Sequence, residues 1–361
     1  MPRGRYAPSP TGGQHLGNAR TALVAWARAR DADFVVRIED LDAARTAPAA
    51  VTGNLDELRW LGLTWNEGPD VGGPHAPYRQ SERTAAYAAA LATLEAAGAT
   101  FACYLSRKDL RTLASAPHAG EAGGAGGRAA YGPRERAENA RVAAAKAAAG
   151  KRPAVRLAVP PEAVPFEDVL RGPDALRLDA AVGDAVLRRA DGVWAYHLAV
   201  AVDDGAMGIR EVVRGDDLRP SAALQVHLQR HLGTRPPAFL HVPLLLDADG
   251  HRLAKRRGSG TLHEMRSRGV PPERVVGFLA WTLGLVPRPT PLTVEDVAAT
   301  FALDALPAHP VVTTPAALAW LEGGPAPAGP PPAPPEGASH AGSDPASDPV
   351  ADPLDAKPDG A

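Results

Sequence analysis

Arg5-Tyr6-Ala7-Pro8-Ser9-Pro10-Thr11-Gly12-Gly13-Gln14-His15-Leu16-Gly17-Asn18 is the stretch that decides the fold. Its first residues suit a short buried strand, its middle is a Pro/Gly turn, and a helix is predicted over residues 17–30. Strand, tight turn and helix N-terminus in that order gather unpaired N–H groups and the positive end of a helix dipole at one spot, a site for phosphate. Gly12, Gly13 and Gly17 omit side chains where a nucleotide would come close to the backbone. His15 adds a neutral or cationic donor suited to charge developing on a phosphate. The pattern is neither a Walker loop nor GxGxxG. Its plain alternative is a βα turn that happens to be rich in Gly and Pro.

Working outward, 361 residues leave room for two domains and a proper core. A hydrophobic content of 45% is ordinary for a soluble globular protein. No apolar run reaches the length of a membrane span and the N-terminus lacks a signal peptide's apolar stretch, so no membrane partner is expected. A single cysteine, Cys103, excludes an internal disulfide framework and points to a cytoplasmic protein. The formal charge of −2 hides an asymmetry. From Gly323 onward Glu336, Asp344, Asp348, Asp352, Asp355 and Asp359 face Lys357 alone, which leaves the remainder at about +3. A mildly basic body is compatible with RNA binding without arguing for it.

Residues 5–65 alternate apolar strands with helices: a strand at 5–8, helix 17–30, strand 34–38, helix 49–60. That β-α-β-α rhythm predicts a parallel sheet with helices on its faces. Helix 82–97 follows, stopped by Gly98. Residues 99–113 suit a strand and a short helix opened by Ser106. The Ala/Gly-rich stretch 114–132 has the composition of a flexible loop. Helix 134–149 ends at Gly150. Strands near 153–159, 185–190 and 193–202 suggest an inserted subdomain. The run Tyr196 to Asp203 and then Glu211-Val212-Val213-Arg214 predicts a return to the parallel sheet. Helix 221–232 and strand 239–246 come next, then an Asp247-Ala248-Asp249-Gly250 turn. Helices 273–284 and 294–302 close the folded part. The expected units are 1–100 with 196–250 as the catalytic domain, 101–195 as the insertion, and 251–322 as a loop and helical region. A Pro/Ala/Asp-rich disordered tail spans 323–361.

Three further clusters carry chemistry. Arg37-Ile38-Glu39-Asp40-Leu41-Asp42 stands where the second strand ends, and open α/β sheets bind ligands beyond the carboxyl ends of their strands. Its carboxylates suit an ammonium group or Mg²⁺, or equally a helix cap. Arg214-Gly215-Asp216-Asp217 follows an apolar strand, and an arginine there can grip a carboxylate bidentately. Trp194-Ala195-Tyr196-His197 sets a phenol and an imidazole on an apolar run, either as core residues or as ligand groups. His251-Arg252-Leu253-Ala254-Lys255-Arg256-Arg257 is a basic loop suited to a polyphosphate, an RNA backbone or plain solvent.

In this order the motifs closely resemble class I aminoacyl-tRNA synthetases of the glutamyl group, over roughly residues 4–285. Pro8 to Asn18, with Ser9, Pro10, Thr11, Gly12, Gly13, Gln14, His15, Leu16 and Gly17 between them, looks like that family's HIGH element. Arg252-Leu253-Ala254-Lys255-Arg256 looks like its KMSKS loop. The resemblance implies an L-glutamate site of Arg5, Tyr6, Ala7, Pro8, Ser9, Glu39, Tyr196 and Arg214. It implies ATP, with Mg²⁺ as co-substrate, held by Thr11, His15, Gly17, Asn18 and Lys255. His15, Asn18 and Lys255 take the catalytic part. Arg5 and Arg214 suit the carboxylates and Glu39 suits the α-ammonium. The implied reaction is attack of the glutamate α-carboxylate on the α-phosphate of ATP, with positioning and electrostatics in place of a nucleophile.

Full-length members continue after the KMSKS loop with a helical domain that reads the anticodon. About seventy folded residues follow Lys255 here, too few for that domain. This matches a shortened branch of the family, which activates glutamate without tRNA and transfers it to the queuosine base at the wobble position of tRNA(Asp). The implied partners are L-glutamate and the queuosine-bearing anticodon stem-loop of that tRNA, with the enzyme as a monomer. The alternatives are a truncated glutamyl-tRNA synthetase charging the 3′ end of tRNA(Glu), a non-catalytic sensor of glutamate or ATP, and a nucleotidyltransferase of the same superfamily. Many members of the shortened branch carry a zinc site of Cys-x-Cys and Tyr-x-x-x-Cys. Here Cys103 and Tyr131 remain, but Leu105 and Glu135 stand at the other cysteine positions. A structural zinc is therefore not expected, with His118 and Glu135 as the conceivable substitutes.

Overall fold

A computed structural model of the chain describes residues 1–42, 46–114, 131–253 and 260–334. Its centre is a six-stranded sheet in the order Phe34–Val36, Gly4–Tyr6, Glu211–Gly215, Ala238–Val242, Ala163–Asp168, Gly172–Arg177. All but the last strand run parallel, and Gly172–Arg177 returns antiparallel to Ala163–Asp168. The central strands are short and buried on both faces, as Val35, Val36, Val212, Val213, Phe239 and Leu240 require. On one face Leu23, Trp26, Phe278 and Trp281 build a core; on the other Tyr87, Leu91, Leu198 and Leu224 build a second. This is the Rossmann-type α/β arrangement that the β-α-β-α rhythm predicts.

Most helices start and stop within about two residues of expectation: Leu16–Ala29, Pro48–Trp60, Thr84–Ala96, Pro133–Ala148, Arg219–His231, Pro272–Thr282 and Val294–Thr300. Ser106 opens the helix Arg107–Ala114 as expected, its hydroxyl accepting from the Asp109 N–H at 3.2 Å. The strands Thr100–Cys103, Ala154–Leu157 and Val186–Arg188 form a separate antiparallel sheet inside the expected insertion.

Four expectations are corrected. The run from Tyr196 is not a strand but the helix Tyr196–Ala206. Apolar, partly β-branched runs of this length do not distinguish a strand from a helix buried on several sides. Here Leu198, Ala199, Val200, Ala201, Asp203 and Asp204 are all buried, so the helix packs against neighbours on several sides. The hairpin Ala163–Arg177 lies in the sequence of the expected insertion yet extends the main sheet. The expected strand 239–246 divides into Ala238–Val242 and Leu245–Leu246, because Pro243 between them has no N–H to donate to a ladder. The start of the expected tail is not free of the body. Gly329 accepts from the Trp281 indole at 3.0 Å, and Pro332 accepts from the Val312 N–H at 2.9 Å. A buried indole and a strand edge both need acceptors, and composition gives no sign of that demand. Residues 43–45, most of the expected loop at 114–132, and the tail from 335 lie outside the described residues.

Candidate active site

The first two strands in sheet order and the helix Tyr196–Ala206 contribute to one buried charge cluster. Arg5 sits in the first strand of the chain, opposite Val35 on one side and Val212 on the other. Its Nε and Nη2 donate to the two oxygens of Asp204 at 3.2 and 3.3 Å. Arg37, fully buried just past the second strand, donates through Nη1 to Asp204 at 2.7 Å and reaches Glu39 at 3.4 Å through Nη2. Burial alone would raise the Asp204 carboxyl, but the Arg5 and Arg37 guanidiniums hold it below its ordinary range. The preceding Asp203 takes Arg83 at 2.6 Å, Tyr87 at 2.9 Å and Gln80 at 2.9 Å. Asp204 thus ties Arg5 and Arg37 together, and Asp203 reaches Arg37 Nε at 3.5 Å.

Glu39 is the carboxylate left facing this cluster. Burial lifts it, against the pull of Arg37 and Arg5, to about 7. Tyr196 begins the helix that carries Asp203 and Asp204; burial and the nearby Glu39 push its phenol up to about 12, while Arg214 and Arg5 oppose this. Burial pulls the Arg214 guanidinium down to about 10, and the Tyr196 phenol beside it counters that. Arg5, Glu39, Tyr196 and Arg214 thus act on one another's charge. Arg214 donates through Nε to His241 at 3.2 Å and through Nη1 to Gln225 at 2.7 Å. Its Nη2 is buried and makes no hydrogen bond among the described residues. A buried guanidinium with one unpaired nitrogen is a receptor for a carboxylate oxygen.

Other expected residues have different occupations. The Tyr6 hydroxyl donates to Gln14 at 2.6 Å, inside the fold. Gln14 in turn donates from its backbone to Glu57 at 2.8 Å and from its side chain to the Asn54 carbonyl at 3.0 Å, which secures the turn. Pro8 is buried and its carbonyl accepts from the Glu39 N–H at 3.0 Å, so the turn and the Glu39 segment are stitched together. Ala7 is half-buried, while Ser9 and Thr11 are exposed. Asp40 is buried and serves structure, accepting from Arg79, from the Ser81 N–H and from the Ser81 hydroxyl. Asp42 lies 3.5 Å from Arg189.

The helix N-terminus differs from the bare-amide site expected of it. His15 is its N-cap, and Nδ1 accepts from the Gly17 and Asn18 N–H groups at 3.1 and 3.4 Å. Asn18 answers by accepting from the His15 N–H at 3.3 Å, closing a capping box. Two of the amides expected to face phosphate are therefore covered by the imidazole. With Nδ1 as acceptor, the neutral ring carries its proton on Nε2. Gly17 also has a different reason to be glycine: a Cβ there would stand 2.9 Å from the His15 ring. Gly12, at φ +138°, has the positive-φ backbone that the turn demands.

Ala254, Lys255 and Arg256 lie outside the described residues; the chain on either side of them is placed. Leu253 is buried, and its N–H donates to the Leu245 carbonyl at 3.1 Å, while Arg252 pairs with Asp217. Beyond the basic stretch, Thr261 bridges to His15, and the Leu262 N–H donates to the Gln14 carbonyl at 2.8 Å. The chain that follows the KMSKS-like residues is thus joined to the HIGH-like turn.

The residues at the family's zinc positions do not fit a tetrahedral site. The Cys103 thiol donates to the Tyr131 hydroxyl at 3.5 Å, and that hydroxyl donates to the Glu135 carbonyl at 3.3 Å. Leu105 packs with them in a small apolar cluster beside Leu110, Leu113 and Val142. The Glu135 carboxylate accepts from the Gly132 N–H at 2.9 Å as part of a helix cap. One thiol, an isobutyl group and a committed carboxylate are not a zinc donor set. His118 lies outside the described residues.

Sequence reasoning missed Asp204, Gln225, His241 and Asp168. The Asp203-Asp204 pair at the end of an apolar run was a visible signal for the first. The others are polar residues within apolar strands and helices, and nothing local marks them.

Comparison with known proteins agrees with this geometry. A family model described as tRNA synthetases class I (E and Q), catalytic domain, matches residues 2–292. The chain belongs to that family of class I aminoacyl-tRNA synthetases and is a ligase. Within it, the chain resembles along nearly their whole length proteins named Glutamyl-Q tRNA(Asp) synthetase. The one from Symbiobacterium thermophilum is 48% identical over 90% of this chain and 99% of its own length. The one from Nitratidesulfovibrio vulgaris is 46% identical over 87% and 96%. A glutamate–tRNA ligase of Heliobacterium modesticaldum is 37% identical over 89% of this chain but 64% of its own length. The crystal structure of a glutamate tRNA ligase from Elizabethkingia meningosepticum in complex with its amino acid superposes with a TM-score of 0.76. It is 28% identical and covers 88% of this chain and 68% of that one.

Proposed function

We propose that this enzyme activates L-glutamate with MgATP, without tRNA, and transfers the glutamyl group to the queuosine base at the wobble position of tRNA(Asp). The observation that carries the first half is the buried, unpaired Nη2 of Arg214 beside Tyr196, with the Glu39 carboxylate across the same cluster. A carboxylate and an ammonium on one small molecule match that pair. Arg5, paired to Asp204, contributes its charge and holds the wall of the pocket. His15, Gly17, Asn18 and Thr11 face ATP, and Lys255 takes its phosphates. The glutamate α-carboxylate attacks the α-phosphate, pyrophosphate leaves, and the acceptor on the queuosine base then displaces AMP from the adenylate. Positive charge near the phosphates offsets the negative charge that develops as pyrophosphate departs.

The second half rests on similarity along the length of the relatives. Those named for glutamyl-Q tRNA(Asp) are matched from end to end, whereas the glutamate–tRNA ligase is matched over 64% of its length. The enzyme should catalyse ATP–pyrophosphate exchange that requires glutamate and no tRNA. Labelled glutamate should pass to tRNA(Asp) from queuosine-containing cells and not to the same tRNA lacking queuosine. Label ester-linked to the terminal ribose of tRNA(Glu) would instead support a truncated glutamyl-tRNA synthetase. Lys255→Ala should lower the exchange rate by about two orders of magnitude, within the range for removal of a transition-state charge contact, while calorimetric glutamate binding stays unchanged. Unaltered exchange would refute the role given to that loop.

A further inference from the structure

Arg214 is held by a chain of buried polar contacts that crosses three neighbouring strands. In the parallel register Arg214 stands directly opposite His241, and Asp168 ends the next strand, opposite Phe239. Asp168 Oδ2 lies 2.7 Å from His241 Nδ1, and Arg214 Nε donates to His241 Nε2 at 3.2 Å. Asp168 and His241 are fully buried, and Arg214 nearly so. The guanidinium also lies over the Phe239 ring at 4.7 Å, and that ring stacks on the His241 ring with 7° between planes.

The hydrogen-bond chemistry leaves one arrangement. A guanidinium can only donate, so His241 Nε2 must be a lone pair and the ring proton must sit on Nδ1. An ionised carboxylate only accepts, so Asp168 requires that same proton on Nδ1. Its other oxygen, Oδ1, accepts from the Leu170 and Arg171 N–H groups at 3.0 and 3.1 Å. Burial, together with Arg214, keeps the imidazole neutral against the pull of Asp168.

We propose that Asp168 and His241 are positioning residues: Asp168 locks the His241 tautomer, and His241 then fixes Arg214 so that Nη2 meets the substrate carboxylate. The role as substrate grip rests on the glutamate reading above; the tautomer lock does not. With Nε anchored on His241 and Nη1 on Gln225, the guanidinium plane is set before substrate arrives, so less freedom is lost on binding.

Asp168→Asn inverts this chain without removing a side chain. The Leu170 and Arg171 N–H groups require the amide oxygen on their side, which turns the NH₂ toward His241 Nδ1. The ring proton must move to Nε2, where it confronts the Arg214 Nε–H. Nitrogen-15 NMR of the ring, recorded without substrate, should show Nδ1 protonated in the wild type and Nε2 protonated in the variant. The KM for glutamate should rise about tenfold, a change of roughly 1.4 kcal/mol, with kcat and the KM for ATP nearly unchanged. His241→Phe keeps the stacking and removes the acceptor, and should raise the glutamate KM in the same way if Asp168→Asn fails to fold. A wild-type ring protonated on Nε2 overturns the proposal, as does a wild-type glutamate KM in His241→Phe. Failure of the glutamate reading would show separately, as wild-type exchange that does not depend on glutamate.

Discussion

At the scale of single residues, charge placement rather than residue type decides the roles. Arg5 and Arg214 are both buried arginines at strand ends, yet Asp204 engages two nitrogens of Arg5 while Arg214 keeps one available. Arg214→Lys should therefore raise the glutamate KM by at least an order of magnitude, because an ammonium cannot satisfy His241, Gln225 and a carboxylate with fixed in-plane geometry. Steady-state kinetics with glutamate varied at saturating ATP measures this. On the proposed reading, Glu39 makes glutamate binding sensitive to pH. Its carboxyl lies at about 7, and only the ionised form attracts an ammonium. The glutamate KM should fall about tenfold between pH 6 and pH 8, with an apparent pKa near 7 that Glu39→Gln abolishes. A KM independent of pH over that range would remove Glu39 from the ammonium site.

At the scale of elements, the cap of the first helix and the proposed ATP site fall on the same residues. His15 satisfies the Gly17 and Asn18 amides, and Gly17 leaves room for its ring. In Gly17→Ala the Cβ would displace the imidazole from both amides, at a cost of about 1 kcal/mol typical of a lost N-cap. The ATP KM should rise alongside the drop in Tm, since one ring serves both purposes. Thermal melts paired with ATP titration separate this from simple helix stabilisation by alanine, which would raise Tm. In the insertion, Cys103, Leu105 and Tyr131 form an apolar cluster at positions where the family resemblance implies metal ligands. Packing and the helix cap at Gly132 hold those elements together.

At the scale of the molecule, buried histidines set the acid side of the stability profile. His197 and His241 are each pulled down to about 4, chiefly by burial. Their unfolded values lie near 6.5, so between 6.5 and 4 the unfolded chain binds more protons and acidification destabilises the fold. Asp168, held below its ordinary range, acts with the same sign at lower pH. Glu39 acts oppositely: raised to about 7, it binds a proton more readily when folded, so its contribution is lost as pH rises from about 4.5 through 7. Two histidines outweigh one carboxyl, and Tm should fall as pH drops from 6.5 to 5. Glu39→Gln should make that fall steeper, as calorimetry at fixed ionic strength would show.

Much of the architecture was legible in local sequence. Hydrophobic period, turn residues and helix stops are properties of neighbouring residues, so most helices and the first two strands of the parallel sheet stand where they were expected. The motif segments also announce themselves locally, because a Pro/Gly turn before a helix or an arginine after an apolar strand needs no distant partner to be seen. Tertiary structure alone decided that Tyr196 opens a helix, that the hairpin Ala163–Arg177 joins the main sheet, and that Asp168, His241 and Arg214 line up across three strands. Strand order and register join residues 27 and 73 positions apart in the chain. Those pairings arise from shared burial between strands, which no local pattern of residues encodes.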